Sequence, residues 1–162
     1  MNPLQRLSAL GPRSKVALGT LASLLLLAAV FDWNWFRPAL ERHLSETSRR
    51  TVRVADLHIS LNGALQPVVR LRGVDVHNAP WASARPFAVA GEVRLTFSWA
   101  SLFQDVRLIT QMELVDADIS LERQADGLRN WRLTRPDDRG PARMRVLSLQ
   151  TLRSQIHVVH QG

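Results

Sequence analysis

Charged positions disappear from the chain between Val16 and Phe31, and Phe31, Trp33, Trp35 and Phe36 cluster at the far end of this run. About 20 residues at ~1.5 Å rise each match a hydrocarbon layer about 30 Å thick, and aromatic rings favour the headgroup level. Residues 16–36 are therefore expected to form a transmembrane signal-anchor. Leu24 to Leu27, followed by two alanines, show no polar face, which argues against a buried core helix. The competing reading is a cleaved signal peptide, for which Arg13 and Lys15 supply a basic start. Cleavage needs small residues, yet Val30, Phe31, Asp32 and Trp33 follow Ala28 and Ala29. Arg37, Arg42, Arg49, Arg50 and Arg53 lie just beyond the run and oppose outward transfer by simple charge counting. Long domains translocate largely regardless of such charges, so residues 1–15 are assigned to a cytoplasmic tail and 37–162 to an outward-facing domain.

Past the anchor, Pro38 and the four-residue spacing of Leu40 and Leu44 fit a short helix, or else a linker. From Thr51 the period becomes two. Val52 and Val54, Ile59 and Leu61, Val93, Leu95 and Phe97, and Ala117, Ile119 and Leu121 each alternate with polar neighbours. Asp56 interrupts one such run. Gly73 shifts the apolar set between Val69/Leu71 and Val74/Val76, as a bulge does. Asn62-Gly63 and Asp126-Gly127 are turn signals. Residues 78–86 and 135–141 read as loops, Trp99 to Phe103 as a helical turn, and Val146 to Val158 as one further strand pair at most. The expected fold is mainly β: an antiparallel, meander-like sheet, forming a groove or half-barrel, with one or two short helices besides the N-terminal transmembrane helix.

The net charge of +7 changes little. Three basic residues and one acidic residue fall in the first 36, leaving 18 and 13 in the rest. Lys15 is the only lysine, and the arginines are scattered singly through strands. With no basic run or basic helix, nucleic acid is not an expected partner. No cysteine is present, which excludes disulfides, thiolate metal sites and a cysteine nucleophile.

Candidate chemistry is sparse. Of five histidines, His157 and His160 are three apart in a presumed strand, so they point to opposite faces and do not share an ion. Asp116 and Asp118 fall on one strand face, where they hold a cation or, more commonly, pair with arginines. No phosphate-binding glycine loop, nucleophile elbow or zinc-helix signature occurs. The chain is read as non-enzymatic, with no catalytic residue, metal or cofactor.

Two short motifs carry a resemblance: Asn78 to Trp81 (NAPW) and Asp126 to Trp131 (DGLRNW), the latter following the strand LVDADISLER at Leu114 to Arg123. With LFQDVRL at Leu102 to Leu108, and in this order behind an anchor ending in aromatics, the chain resembles the start of the AsmA-like bacterial proteins. The turn residues carrying the match are Asn78, Trp81, Asp126, Gly127, Asn130 and Trp131. Because AsmA-like proteins are usually longer, the chain reads as the N-terminal part of such a protein. The resemblance implies residence in the Gram-negative inner membrane with the bulk of the chain in the periplasm. It also implies a role in phospholipid transport or outer-membrane assembly, since members resemble bridge-like lipid-transfer proteins. Membrane and phospholipid are the expected partners. The alternative is a structural or assembly factor that binds a periplasmic protein by strand addition at a sheet edge.

An alternating sheet has one apolar face, and acyl chains can cover it at roughly 0.8 kcal/mol per buried methylene. The lipid-facing candidates are Val52, Val54, Val93, Leu95, Phe97, Ile119 and Leu121. The same face would equally serve as a core under the domain's own helices. Trp81 and Trp131 are expected to pack on the sheet from their loops, each supported by its local asparagine, Asn78 or Asn130. Contact of these tryptophans with lipid headgroups is the other reading.

Overall fold

The computed structural model describes residues 11–132 and 144–160, without the side chains of Leu21, Leu24, Leu25, Ala28 and Ala29. Most of the expected cytoplasmic tail (residues 1–10) and the expected loop at 135–141 lie outside the described residues. The chain divides into two units, 1–32 and 33–162.

In the first unit, helix α1 spans Pro12–Val30, with Pro12 in the first turn where its missing amide costs nothing. Among the described residues, no helix is long and apolar enough to cross a membrane. The single span expected over 16–36 is divided: α1 stops at Val30, and Trp33–Phe36 form a separate 3-10 turn that belongs to the β unit. Trp33 packs against the β core. Asn34 accepts the Leu57 amide at 2.8 Å and donates to Asp56 at 2.8 Å.

The second unit is mainly β. Helix α2, Arg37–Ser48, ends with Arg49 in the left-handed conformation. Strands β1 (Val52–Leu61), β2 (Pro67–Val76), β3 (Ala88–Phe97) and β4 (Arg107–Arg123) form an antiparallel meander, as the alternation and turns predict. A one-turn helix, α3 (Trp99–Leu102), lies between β3 and β4, where the helical turn was expected. The last part of the sheet differs from the expected closing strand pair. Strands β5 (Met144–Val146), β6 (Leu149–Leu152) and β7 (Gln155–His160) each pair with successive stretches of β4, all in parallel. The sheet is thus mixed and open rather than wholly antiparallel. A parallel neighbour needs a long return of the chain, here from Arg123 to Met144.

A crease crosses β1 to β4 at one level and meets the break between β6 and β7. Ala55, Gly73, Gly91, Asp116 and Arg153 fall between the paired residues on either side of them. Gly73, Asp116 and Arg153 have φ of 56°, 51° and 50°. A Cβ at Gly73 would stand 2.8 Å from the Ala55 Cβ, so glycine there meets both a backbone and a space requirement. The bulge expected at Gly73 is present as one member of a row. Each of β1 to β4 gains one residue at this level, so the aliphatic residues stay on the same face along its full length.

That face carries aligned rows: Val52–Val76–Ala88–Ile119–Ile156 and Val54–Val74–Ala90–Ala117 on one side of the crease. On the other side run Leu57–Leu71–Val93–Leu114 and Ile59–Val69–Leu95–Met112–Leu149. Trp33, Leu40 and Leu44 pack against it from the 3-10 turn and α2. The opposite face is charged. Glu92 meets Arg72 at 3.2 Å, Arg94 at 2.6 Å and Arg70 at 3.6 Å, and Arg94 also reaches Glu113 at 2.7 Å. Burial disfavours the Glu92 carboxylate, but hydrogen bonds from Arg72 and Arg94 outweigh that and hold its pKa below the usual range.

Candidate functional site

Among the described residues, helical cover of the aliphatic face lies on its β1 side. Contacts of α2 and of the 3-10 turn fall on β1, so the cover lies over the first strands. Val52 and Val54 are buried beneath it and offer almost no surface to a ligand, and Val93 is buried with them. Leu95 is half-buried and packs on this core. Phe97 lies past a register shift, opposite Ile109, and is half-buried outside the cluster. Ile119 and Leu121 are half-buried on β4, and their rows continue onto Ile156 and Val158 of β7. Val158 is 72% exposed. The seven residues chosen from alternation therefore divide, with β1 positions sealed and β4 positions open toward the edge strand.

The two edges of the sheet are unlike. On β1, the outward amides of Val52, Val54 and Leu57 are accepted by Ser45 Oγ (2.9 Å), Glu41 Oε1 (2.7 Å) and Asn34 Oδ1 (2.8 Å). Arg37 donates to the Ala55 carbonyl at 2.6 Å. These side chains occupy the positions an added strand would need. On the other side, β5, β6 and β7 pair only with β4 among the described residues.

The two asparagine turns do not act separately. Asn130 is fully buried, and its Nδ2 donates to the Ser120 carbonyl (2.7 Å) and to Asn78 Oδ1 (3.0 Å), while its Oδ1 accepts the Glu122 amide at 2.8 Å. Asn78 Nδ2 donates to the Arg85 carbonyl (3.0 Å) and to Glu122 Oε1 (2.7 Å). Ser83 gives Glu122 both its backbone amide (2.9 Å) and its hydroxyl (2.5 Å). Arg50 closes the arrangement, reaching Asn78 Oδ1 at 3.3 Å and the Asn130 carbonyl at 2.5 Å, with its guanidinium 5.2 Å from the Phe87 ring centroid. The result is a clasp that ties the 78–87 loop, the end of β4 and the 124–131 turn to the residues leading into β1.

Glu122 has no exposed surface. Burial opposes its ionisation, but donors from Ser83, Asn78 and Ser120 outweigh burial and hold its pKa below the usual carboxylate range. Burial alone lowers the pKa of Arg50. The sequence reading missed Glu122, because nothing local distinguishes it from the exposed charges of LERQADG.

The tryptophan expectation needs correction. Trp131 is 37% exposed and lies under the Arg129 guanidinium, 5.7 Å from the ring centroid, while Trp81 is half-buried. Asn78 does support its own loop, but Asn130 serves Ser120 and Glu122 rather than Trp131. Asp126 caps its turn by accepting the Leu128 amide at 2.9 Å, and Gly127 has φ of 89°, as the turn signal requires. Asp116 forms an ion pair with Arg153, accepting two bonds (2.6 and 3.0 Å), and Asp118 Oδ1 lies 3.2 Å from His157 Nε2. No group of three metal-ligating side chains occurs among the described residues.

A groove-like open sheet with an aliphatic face, a charged back and one unblocked edge defines a scaffold class of β protein. A model of the AsmA family matches residues 12–151, and the chain belongs to that family. Membership supports a broad role in membrane- or lipid-related assembly. No curated protein and no solved structure matches the chain at a significant level.

Proposed function

We propose that this chain is an inner-membrane-anchored, periplasmic module whose aliphatic sheet face receives phospholipid acyl chains, without catalysis. The observation that carries this reading is the continuation of the aliphatic rows past the covered end of the sheet, through Ile119 and Leu121 onto exposed Ile156 and Val158. Tails need no directed polar contact, so a strip of aliphatic side chains beside a charged back is sufficient to hold them. The uncharged run from Val16 to Phe31 supports membrane anchoring. N-terminal sequencing of the membrane-extracted protein should begin at or near Met1, and a start near Phe31 or Trp33 would identify a cleaved signal instead.

The groove reading is tested by placing a photo-crosslinking residue in cells at Leu95, Ile119 or Leu121. Phospholipid adducts are expected there, and none at Val54, which lies under the helix cover, or at Arg72 on the charged face. Absence of adducts at every apolar position would defeat it. The second reading is strand addition by a periplasmic protein. The unlike edges favour placing that partner on β5–β7, since β1 already has its outward amides engaged.

A further inference from the structure

The end of the sheet remote from the asparagine clasp collects exposed apolar groups from three separate segments of the chain. The register brings the β1–β2 turn (62–66), the β3–β4 connection (98–106) and the start of β5 to this one end, because Leu61 pairs with Pro67, Val68 with Thr96, Phe97 with Ile109 and Ile109 with Val146. Phe103 is 88% exposed and Leu65 66% exposed, and Trp99, Val146 and Leu147 are exposed beside them. None of these belongs to the core cluster.

The presentation of these groups is built rather than loose. Asn62 Oδ1 accepts the amides of Ala64 and Gln66 at 3.0 and 2.9 Å, and the Leu65 amide donates to the Asn62 carbonyl at 2.8 Å. Trp99 Nε1 donates to the Leu65 carbonyl at 2.6 Å, joining the turn to α3. Leu65 itself has φ of 58°, a conformation that leucine rarely adopts. A left-handed leucine left largely exposed by a hydrogen-bonded turn gains little packing in return, as a residue presented for a contact would.

The chemistry of the patch selects its occupant. Aromatic and aliphatic groups at loop tips, with exposed Arg107 and Arg145 beside them and, among the described residues of these segments, one carboxylate at Asp105, match the apolar-plus-cationic composition of a bilayer interface. A protein-binding patch would instead favour a desolvated centre with a polar rim. We propose that this end of the sheet seats on an anionic lipid surface, with Leu65, Trp99 and Phe103 entering the headgroup layer and Arg107 and Arg145 meeting its phosphates. The inference rests on the membrane-associated reading above but not on the groove.

Because the chain has no cysteine, single-cysteine labelling is clean. The full chain is reconstituted in vesicles of phosphatidylethanolamine and phosphatidylglycerol, with an environment-sensitive fluorophore on Phe103→Cys or on Ala125→Cys at the opposite end. Emission from position 103 should shift to the blue and be quenched severalfold by nitroxide-labelled lipid, whereas position 125 stays solvent-like and unquenched. Leu65→Glu should reduce quenching at position 103, and so should omitting phosphatidylglycerol. Solvent-like emission at position 103 would overturn the proposal, as would a blue shift without lipid quenching, which would mean shielding by protein. Crosslinking at Ile119 and Leu121 tests the groove independently, so the two readings fail separately.

Discussion

Glu122 is a carboxylate with no exposed surface whose two oxygens receive N–H and O–H donors from Asn78 and Ser83. Glu122→Gln would turn an amide NH2 toward one of those donors. Losing a hydrogen bond to a buried charge costs about 2 kcal/mol, which urea unfolding would register. Since the folded pKa of Glu122 lies below its unfolded value of about 4.3, its stabilisation is present above that pH. It is lost as pH falls through the lower folded pKa, and unfolding followed against pH should show a shallower acid limb in Glu122→Gln than in the parent. Asn130→Ala should be at least as damaging, because it leaves the Ser120 carbonyl and the Glu122 amide without their partner. Trp131→Ala, by contrast, removes a partly exposed ring stacked on one arginine. A change of under about 1 kcal/mol in unfolding free energy is expected, well short of the 3–5 kcal/mol typical of a buried tryptophan.

At the level of the strand, the crease and the blocked edge each expose a single residue to test. Gly73→Ala introduces a Cβ 2.8 Å from that of Ala55 at a φ of 56°, and a cost of about 2 kcal/mol is expected in thermal or chemical unfolding. Gly91→Ala is milder, since its Cβ would stand 3.2 Å from the Asp116 Cβ. Glu41→Ala frees the Val54 amide at the β1 edge. Stability should fall by about 1–2 kcal/mol, and sedimentation should show more self-association as that edge opens.

These elements also mark what the sequence discloses. Alternation along Val52–Val54 and Val93–Leu95, with Asn62-Gly63 marking the first turn, was enough to place the strands of the meander. Gly73 announced the bulge because the apolar set shifts by one position across it, from Val69 and Leu71 to Val74 and Val76. The direction of β5–β7 was not legible, since period two reports which side a residue faces and never which way its neighbour runs. The clasp was half legible. Asn78 and Asn130 stood out as turn residues, but Asn78 lies 44 positions from Glu122 and 52 from Asn130, beyond the reach of any local pattern.

Taken whole, the β unit joins two kinds of pairing. Strands β1 to β4 each meet their neighbour in sequence through a turn or a loop. Strands β5 to β7 meet β4 only after the chain returns from Arg123 to Met144, in three short pieces whose residues are nearly all exposed. Closing that return costs loop entropy before any ladder bond compensates for it, so the order of assembly follows from the topology. The meander forms first and the parallel strip docks last. In the native protein the same strip should open first, and amide hydrogens of β5–β7 should exchange with solvent well before those of β2 and β3. Whenever it opens, β4 loses the strand partners of residues 107–109, 112–115 and 118–123, leaving an unpaired edge with aliphatic rows beside it. Refolding yield should therefore fall as protein concentration rises, with intermolecular pairing through β4 as the side reaction.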